Sequence, residues 1–531
     1  MIEDLILVVL GSSVAHPMYS ADFVKAFSAT GSEATYAITG SPDGGYMMVG
    51  STSSFGAGSV DILLVKLDRW GNFQWAKTLG SPYKDGAADI ISTSDANFLI
   101  VGTTRGFGVQ DDGVIVLKVD TLGNLIWGKA IWGKMYDWGF TGIELSDGGY
   151  LITGLTRSFG TYGPHLMHIK LSFTGQLLWS RVLSWDSNSG NFLLESSDGS
   201  FFTVGSGPII VVKSDSIGLP IWINLITGGV AETGNACQEL PSGNILVLGS
   251  TDSYFPYHLE EATICQTDIM VSKLDPQGNL IWAKIMGTGD TSSSYRADDA
   301  ARSWKTLDDG TAIIAANTRG EGEGGTDQLF IKIDTCGNVL WSFTVGSEHE
   351  DKCYELAMGH KGSCVSVGYT KSPGPDTLNI LATMFNINGE NCKAKPCSLY
   401  IANVNPSVSH PVPGISTPTW SVADVAPVYS LVELEQYTWC EVIIPDTGKD
   451  GDLGFWASGP RIHFEIPGDG QVRVSIYNVD GVLVERPLDG FLEGGSYDLN
   501  LALPVPGIYF VQVLYGGRAY NFKTFVEERT Y

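Results

Sequence analysis

The chain is predicted to be all-β: a seven-bladed β-propeller closed by its N-terminal strand, followed by a small C-terminal β-sandwich. Three observations carry that prediction. A turn of the form Asp-x-x-Gly-Asn, followed by a strand with a tryptophan, recurs with its glycine at Gly71, Gly123, Gly175, Gly218, Gly278 and Gly337, and in degenerate form at Gly389. A second signature, a tight turn and then a strand usually ending in Gly, runs from "DGGYMMVG" at Asp43 to "KGSCVSVG" at Lys361 and gives seven copies. Glycine, at 65 of 531 residues, is spread along the chain as many tight turns between short strands require.

Period decides the architecture. Each unit holds four short β-rich runs, and four-stranded units of this length repeated seven times are propeller blades. Asp-x-x-Gly-Asn suits a hairpin because glycine accepts a positive φ and the Asp side chain bonds the turn backbone. The motif tryptophan stands at Trp75, Trp127, Trp179, Trp222, Trp282 and Trp341, and the seventh copy lacks one. Its counterpart is at the other end of the chain, where Phe23 precedes Asp43 by 20 residues, as Trp75 precedes Asp95. The strand at Phe23 is therefore expected as the outer strand of blade seven, closing the ring and removing two sheet edges. The tryptophans are read as packing between blades.

In chain order, residues 1–20 carry a short apolar run (Leu5 to Leu10) and then small residues at Ser20 and Ala21, the pattern of a secretory signal. Glu3 and Asp4 stand where a basic segment belongs, which leaves Met1 open as the true start. Residues 21–391 are the propeller. Residues 392–459, rich in Pro, Ser and Thr at first ("PSVSHPVPGISTPTW"), read as a linker and an ambiguous stretch. Residues 460–531 alternate strand and turn throughout, a small sandwich by period.

The units resemble the bacterial extracytoplasmic propeller-repeat families built on "DGGY…G…D…K.D..GN..W", which are loosely related to quinoprotein-like propellers. That likeness covers residues 21–391 and implies a fold rather than a chemistry. The tail resembles the C-terminal sorting domain of type IX secretion cargo: "VSIYNVDGVLV" (Val474 to Val484), "LEGGSYDLNL" (Leu492 to Leu501), "PGIYFVQV" (Pro506 to Val513) and Lys523 follow in the expected order. The sequence departs from that pattern in lacking Asn-Pro before the first strand, where "SGPRIHFEIP" stands. The resemblance implies export through the type IX machinery to an extracellular or outer-surface location.

Composition narrows the partners. Lys and Arg number 32 against 58 Asp and Glu, a net charge of −26, which disfavours nucleic acid and anionic membrane surfaces. No stretch outside the N-terminus approaches the length of a transmembrane helix. The eight cysteines permit disulfides in an exported chain, and "CKAKPC" lacks zinc-finger spacing.

Two candidate sites follow from the predicted topology. Long insertions in and after blade five, Asp252–Asp268 and Gly287–Ala300, fall on one face, where loops on a rigid scaffold carry binding. Their candidate ligand-binding side chains are Tyr254, Phe255, Tyr257, His258, Tyr295 and Arg296, with Cys237 and Cys265 as a disulfide staple. Secondly, acids stand at Glu33, Asp85, Asp137, Glu232, Asp299 and Asp351, at the entry to the inner strands, with Ser189 breaking the series. One reading is a ring of carboxylates that holds Ca²⁺. The other, favoured by the repetition itself, is that each acid bonds its own turn. Asp61, Asp268 and Asp327, five residues before the motif lysines, read the same way.

No Gly-x-Ser-x-Gly elbow or phosphate loop is present, and the histidines are scattered. The expectation is an exported, non-catalytic protein, without a required cofactor, that recognises an extracellular glycan or protein. A polysaccharide hydrolase or lyase is the alternative, and a self-assembling surface-layer or filament component the third.

Overall fold

The computed structural model describes residues 22–531 apart from 161–162, 185–187, 254–266, 289–297, 360–361, 373–376, 433, 443–453, 459–460, 467, 478–482, 501–506, 516–517 and 527–531. The chain forms two units, Asp22–Glu441 and Val442–Tyr531. No helix among the described residues is long and apolar enough to cross a membrane. Residues 1–20, expected as a signal, lie outside the described residues.

The larger unit is all-β and propeller-like. Its blades are antiparallel four-stranded repeats, and blade two is representative: Asp85–Ser92, Phe98–Thr104, Gly113–Val119 and Leu125–Trp132 pair in order. The middle strands are buried along their whole length and supply the apolar layers between blades, such as Ile115, Leu117, Phe98 and Ile100. The strand Asp22–Ser28 pairs with Asn379–Asn386 in the last repeat, in the register Phe23↔Met384 to Phe27↔Ile380. Blades four and five are fused into one sheet, because the turn after Phe201–Gly207 is so short that Ser206 and Gly207 pair with Thr233 and Glu232.

One contact recurs from blade to blade. A Cβ at Gly123 would stand 2.8 Å from the Trp75 ring, and one at Gly175 would stand 2.8 Å from the Trp127 ring. Gly218 meets Trp179, Gly278 Trp222, Gly337 Trp282 and Gly389 Trp341 in the same way, and Gly71 meets Phe23. Each hairpin glycine thus does two things. It takes a positive φ (72° to 87° across these seven), and it lets the next blade's turn sit flat on the aromatic face of the blade before it. The expected inter-blade role of the tryptophans is what these contacts describe. A second repeated device pins the Asp-Gly-Gly turn: Lys66, Lys118 and Lys170, themselves nearly buried, reach Asp43, Asp95 and Asp147 at 2.6 Å each.

Residues 392–441 are not a linker, and the boundary between the units falls at 441/442 rather than at 459. The segment adds a fifth, outermost strand to every blade in turn. Lys395–Pro396 pairs with blade six, Tyr400–Val404 with blade five, Ser407–Ser409 with blade four and Gly414–Ser416 with blade three. Ser421–Asp424, Val428–Val432 and Glu435–Val442 then pair with blade two, blade one and the strand Asp22–Ser28. Prolines and serines that suggest a linker also suit short edge strands hydrogen-bonded on one side only. Isolated apolar anchors hold this belt. Trp420 is 7% exposed and packs edge-on against Phe159 at 4.7 Å. Val425 fills the space left by Gly128, whose Cβ would lie 2.2 Å from it.

The smaller unit has two sheets, Gly454–Ser458, Arg461–Ile466 and Gly495–Asn500 in one, Gly470–Tyr477, Leu483–Leu492, Gly507–Tyr515 and Arg518–Val526 in the other. Phe464, Ile466, Val472, Val474, Ile476, Val511 and Val513 form one core drawn from both sheets, which makes it a sandwich.

Two outcomes test these contacts. Gly148 shares the turn conformation of Gly123 (φ 79° against 75°), but a Cβ there would meet nothing within 4 Å. Gly148→Ala is expected to cost about 1–2 kcal/mol from the backbone alone, and Gly123→Ala roughly 1–3 kcal/mol more from overpacking against Trp75. Equal losses in urea denaturation would show that the tryptophan contact contributes nothing. Trp420→Ala is expected to cost about 3–5 kcal/mol and to remove hydrogen-exchange protection from residues 414–424. Unchanged exchange there would return the belt to the status of a passive linker.

Candidate functional site

The loop residues Tyr254, Phe255, Tyr257, His258, Tyr295 and Arg296 lie outside the described residues, as does Cys265. Cys237 is a free thiol buried in the core of blade five and does not form the expected staple. Burial, with a smaller push from the Glu239 carboxylate, raises its thiol far above the ordinary range.

The six acids do begin the inner strands, but they do not converge on a cation, and among the described residues no cluster of three or more His, Cys, Asp or Glu is placed to hold a metal. Each is consumed within its own repeat. Asp85 accepts from Ser81 N at 2.6 Å, Ser81 Oγ at 2.7 Å and the Thr104 hydroxyl. Asp137 accepts from Gly133 N at 2.7 Å, Thr156 at 2.5 Å and Ser158 at 2.7 Å. Glu33 does the same with Ala29 N and Thr52, Glu232 with Gly228 N and Thr251, Asp299 with Thr288, and Asp351 with Ser347. The acid clamps the loop entering its blade and ties it to the end of the second strand. These contacts are the local clasps of the reading that the repetition favoured.

What converges is a different set. In all seven inner strands the pairing with the second strand slips by one residue, a β-bulge. The extra residues are Tyr36, Ala88, Phe140, Asn191, Asn235, Arg302 and Tyr354, and all seven line one cavity of about 310 Å³. Bulges re-aim side chains, and these aim into the channel between the inner strands. The second strand matches these bulges. A Cβ at Gly50, Gly102, Gly154, Gly205 or Gly368 would lie 1.7 to 2.1 Å from a carbonyl oxygen of the inner strand, and one at Gly249 2.5 Å away, so in six of the blades the close approach relies on glycine, while blade six has Ala316 there. Each bulged residue stands 14 positions before that glycine, or before Ala316 in blade six. The signal was in the repeated "strand ending in Gly", whose glycine reads as a strand terminus until the pairing is known.

The ring has two halves. Blades four to six supply hydrogen-bonding groups. Asn191 is held by Ser206 Oγ at 2.5 Å and Gly234 O at 2.9 Å, while Asn235 Oδ1 and Arg302 Nε are buried without a hydrogen-bond partner. Blades seven, one and three supply rings. Tyr36 and Tyr354 meet edge-on at 5.2 Å, and the Arg302 guanidinium stands 5.4 Å from the Tyr354 ring. Further along the inner strands, Asp89, Lys305 and Glu355 line the same cavity. Asp89 accepts from Thr141 Oγ1 at 2.6 Å and Gly142 N at 3.0 Å, and Glu355 accepts from Ile38 N at 3.1 Å and lies 3.7 Å from Lys305. Enclosure by protein raises both carboxyls, Glu355 to about 7, against the opposing pull of Lys305. His168, by contrast, is buried against Thr203 at 2.8 Å and pushed down to about 3, so it stays neutral.

No protein-family model matches this chain, and no curated protein does. Among solved structures, it is similar to puromycin hydrolase, at 13% identity and a TM-score of 0.39 over 68% of this chain and 54% of that one, so that it spans about half of that protein. It is similar to a glycosyl hydrolase from Bacteroides ovatus at 11% identity and TM-score 0.29, over 70% of this chain and 88% of that one. An endo-1,5-alpha-L-arabinanase from Thermotoga petrophila RKU-1 gives 9% identity and TM-score 0.23, over 64% and 95%. No activity is carried over at such distances.

The clasps set a pH dependence. Burial pushes Asp299 up to about 8 and, with Asp351 nearby, Asp327 up to about 6. An unfolded Asp ionises near pH 4, so each group's contribution is complete below that pH and is lost as pH rises through its folded value. Wild-type stability attributable to Asp299 is expected to fall between about pH 4 and 8, and Asp299→Asn to flatten that stretch of the profile. Parallel wild-type and variant profiles in guanidinium melts at fixed salt would overturn the assignment.

Proposed function

We propose that this is an exported protein, displayed on the outer cell surface or released, whose propeller is a non-catalytic binding module for a glycan. One observation carries the reading. The structural devices of the unit are repeated with similar residues in most blades, whereas the seven symmetry-related bulge positions hold Tyr, Ala, Phe, Asn, Asn, Arg and Tyr, all lining one cavity. Rings on one side and amide and guanidinium groups on the other suit a ligand with apolar faces and hydroxyl edges. We read the seven repeats as a closed seven-bladed ring. Support comes from Glu33 N donating to Leu378 O, Thr35 Oγ1 donating to Gly368 O, and the seating of Gly71 on Phe23. The export address rests on the resemblance of the C-terminal unit to type IX sorting domains.

A hydrolytic role is the second reading, favoured by Asp89 and Glu355 lining the same cavity with raised carboxyls.

The full chain on a glycan array, followed by calorimetry, tests the proposal. Arg302→Ala and Tyr354→Ala are expected to weaken binding by about tenfold or more, the order of a lost charged or ring contact. Ala88→Phe, which fills the cavity without removing a contact, is expected to abolish it. Undiminished binding by Ala88→Phe would remove the channel as the site, and product release that needs Glu355 would make the protein a hydrolase.

A further inference from the structure

Blade three carries a feature that the other inner strands lack. Tyr136, just before the strand Asp137–Glu144, alternates with Trp138 and Phe140 on it, and the three rings share one face. The Tyr136 and Trp138 rings stack at 5.2 Å with 27° between planes, and Trp138 and Phe140 lie 6.4 Å apart. All three are only half-buried. The matching positions of blade two are Lys84, Gly86 and Ala88, so the neighbouring wall is small, and a Cβ at Gly86 would meet nothing within 4 Å. The result is a trough of about 240 Å³ between the two blades, lined by Gly86, Ala88, Thr103, Asp112, Trp138 and Phe140. Ala88 and Phe140 also line the central cavity, so the two spaces share a wall. Polar groups fix the rings: Trp138 Nε1 donates to Asp112 Oδ2 at 3.0 Å, and the Arg157 guanidinium lies 5.0 Å from the Tyr136 ring.

We infer that Tyr136, Trp138 and Phe140 form an extended subsite that leads the end of a glycan chain into the seven-residue ring. The inference rests on the channel reading above and names its ligand more narrowly: an oligosaccharide or polymer terminus rather than a monosaccharide. From Tyr136 to Phe140 the strand rises roughly 13 Å, long enough for more than one sugar ring to lie along the aromatic faces, with Asp112, Thr103 and Lys84 beside the hydroxyl edges. Chain-end recognition draws on the central cavity, where Lys305 lies 3.7 Å from Glu355 and both line the space with Asp89, so that the end of a chain led in from the trough would meet charged groups.

The test uses the full chain and ladders of cello-, xylo- and manno-oligosaccharides from mono- to hexasaccharide, titrated by calorimetry. For the ladder that binds, wild-type affinity is expected to rise with length by about tenfold or more, the size of one or two stacked rings. Trp138→Ala is expected to erase that increment and leave the shortest ligand unaffected, and Trp138→Phe to restore most of it. Gly86→Phe, which fills the trough from the opposite wall, gives the same loss without touching the aromatic strip and stands in if Trp138→Ala does not fold. Arg302→Ala weakens all lengths alike. Length-independent affinity, or equal loss at every length in Trp138→Ala, overturns the subsite while leaving the channel intact. Failure of every ladder to bind, in wild type and variants, overturns both.

Discussion

The seating of a glycine turn on an aromatic face is the constraint on which the rest of the larger unit depends. It fixes how far and at what angle one blade stands from the next, because a Cβ on the turn would push the neighbour away by the contact distances seen at Gly123 and Gly175. Inter-blade layers such as Phe98, Ile100, Ile115 and Leu117 of blade two with Met47, Val49, Ile62 and Leu64 of blade one can interdigitate only at that spacing. With the spacing set, the inner strands are brought close enough for their bulges to share a cavity. The substitution of Phe23 for tryptophan preserves this, since what the turn needs is a flat apolar surface and not an indole N–H. Trp127, Trp222 and Trp341 do use the indole, donating to Phe173 O, Pro276 O and Ile387 O, which adds a polar stop to an apolar contact.

Much of this was legible because it is periodic. The spacing of Gly71, Gly123 and Gly175, the missing seventh tryptophan and the match at Phe23 gave the repeats and the partner of the N-terminal strand before any coordinates. The belt was not legible, and the reason is physical. Its strands are two to eight residues long and bond to a neighbour on one edge, so neither alternation nor length marks them. Its affinity sits in scattered anchors such as Trp420 and Val425, whose complementary hollows are made by Phe159 and Gly128 hundreds of residues earlier. A segment whose fold is dictated by the surface it lies on carries little pattern of its own.

The acids show a middle case, where position was legible and role was left between two readings, of which the repetition favoured the local one. Their place at the head of each inner strand follows from spacing, but whether a carboxylate faces a channel or its own loop depends on a hydroxyl such as Thr104 or Thr156 at the end of the next strand. Six carboxylates at symmetry-related positions invite a shared ligand, yet each finds its donors within one repeat. Burial raises the Asp299 carboxyl, which disfavours its charged form.

Symmetry finally separates scaffold from site. Where the same side chain recurs, as with the turn glycines in all seven blades and the motif lysines and clasp acids in most, the residue answers to the fold. Where the backbone device is repeated but the side chain is not, the fold has supplied a pedestal and left the occupant free. The bulges are such pedestals. The informative residues on them include the smallest: Ala88 and the nearby Gly86 open one wall, and the rings of Phe140 and Trp138 gain a usable face only because nothing stands opposite. A channel with seven large residues would be a plug. One with a single low wall, facing an aromatic strip and backed by Asn191, Asn235 and Arg302, has a direction of entry and a polarity, which are the two properties that chain-end recognition requires.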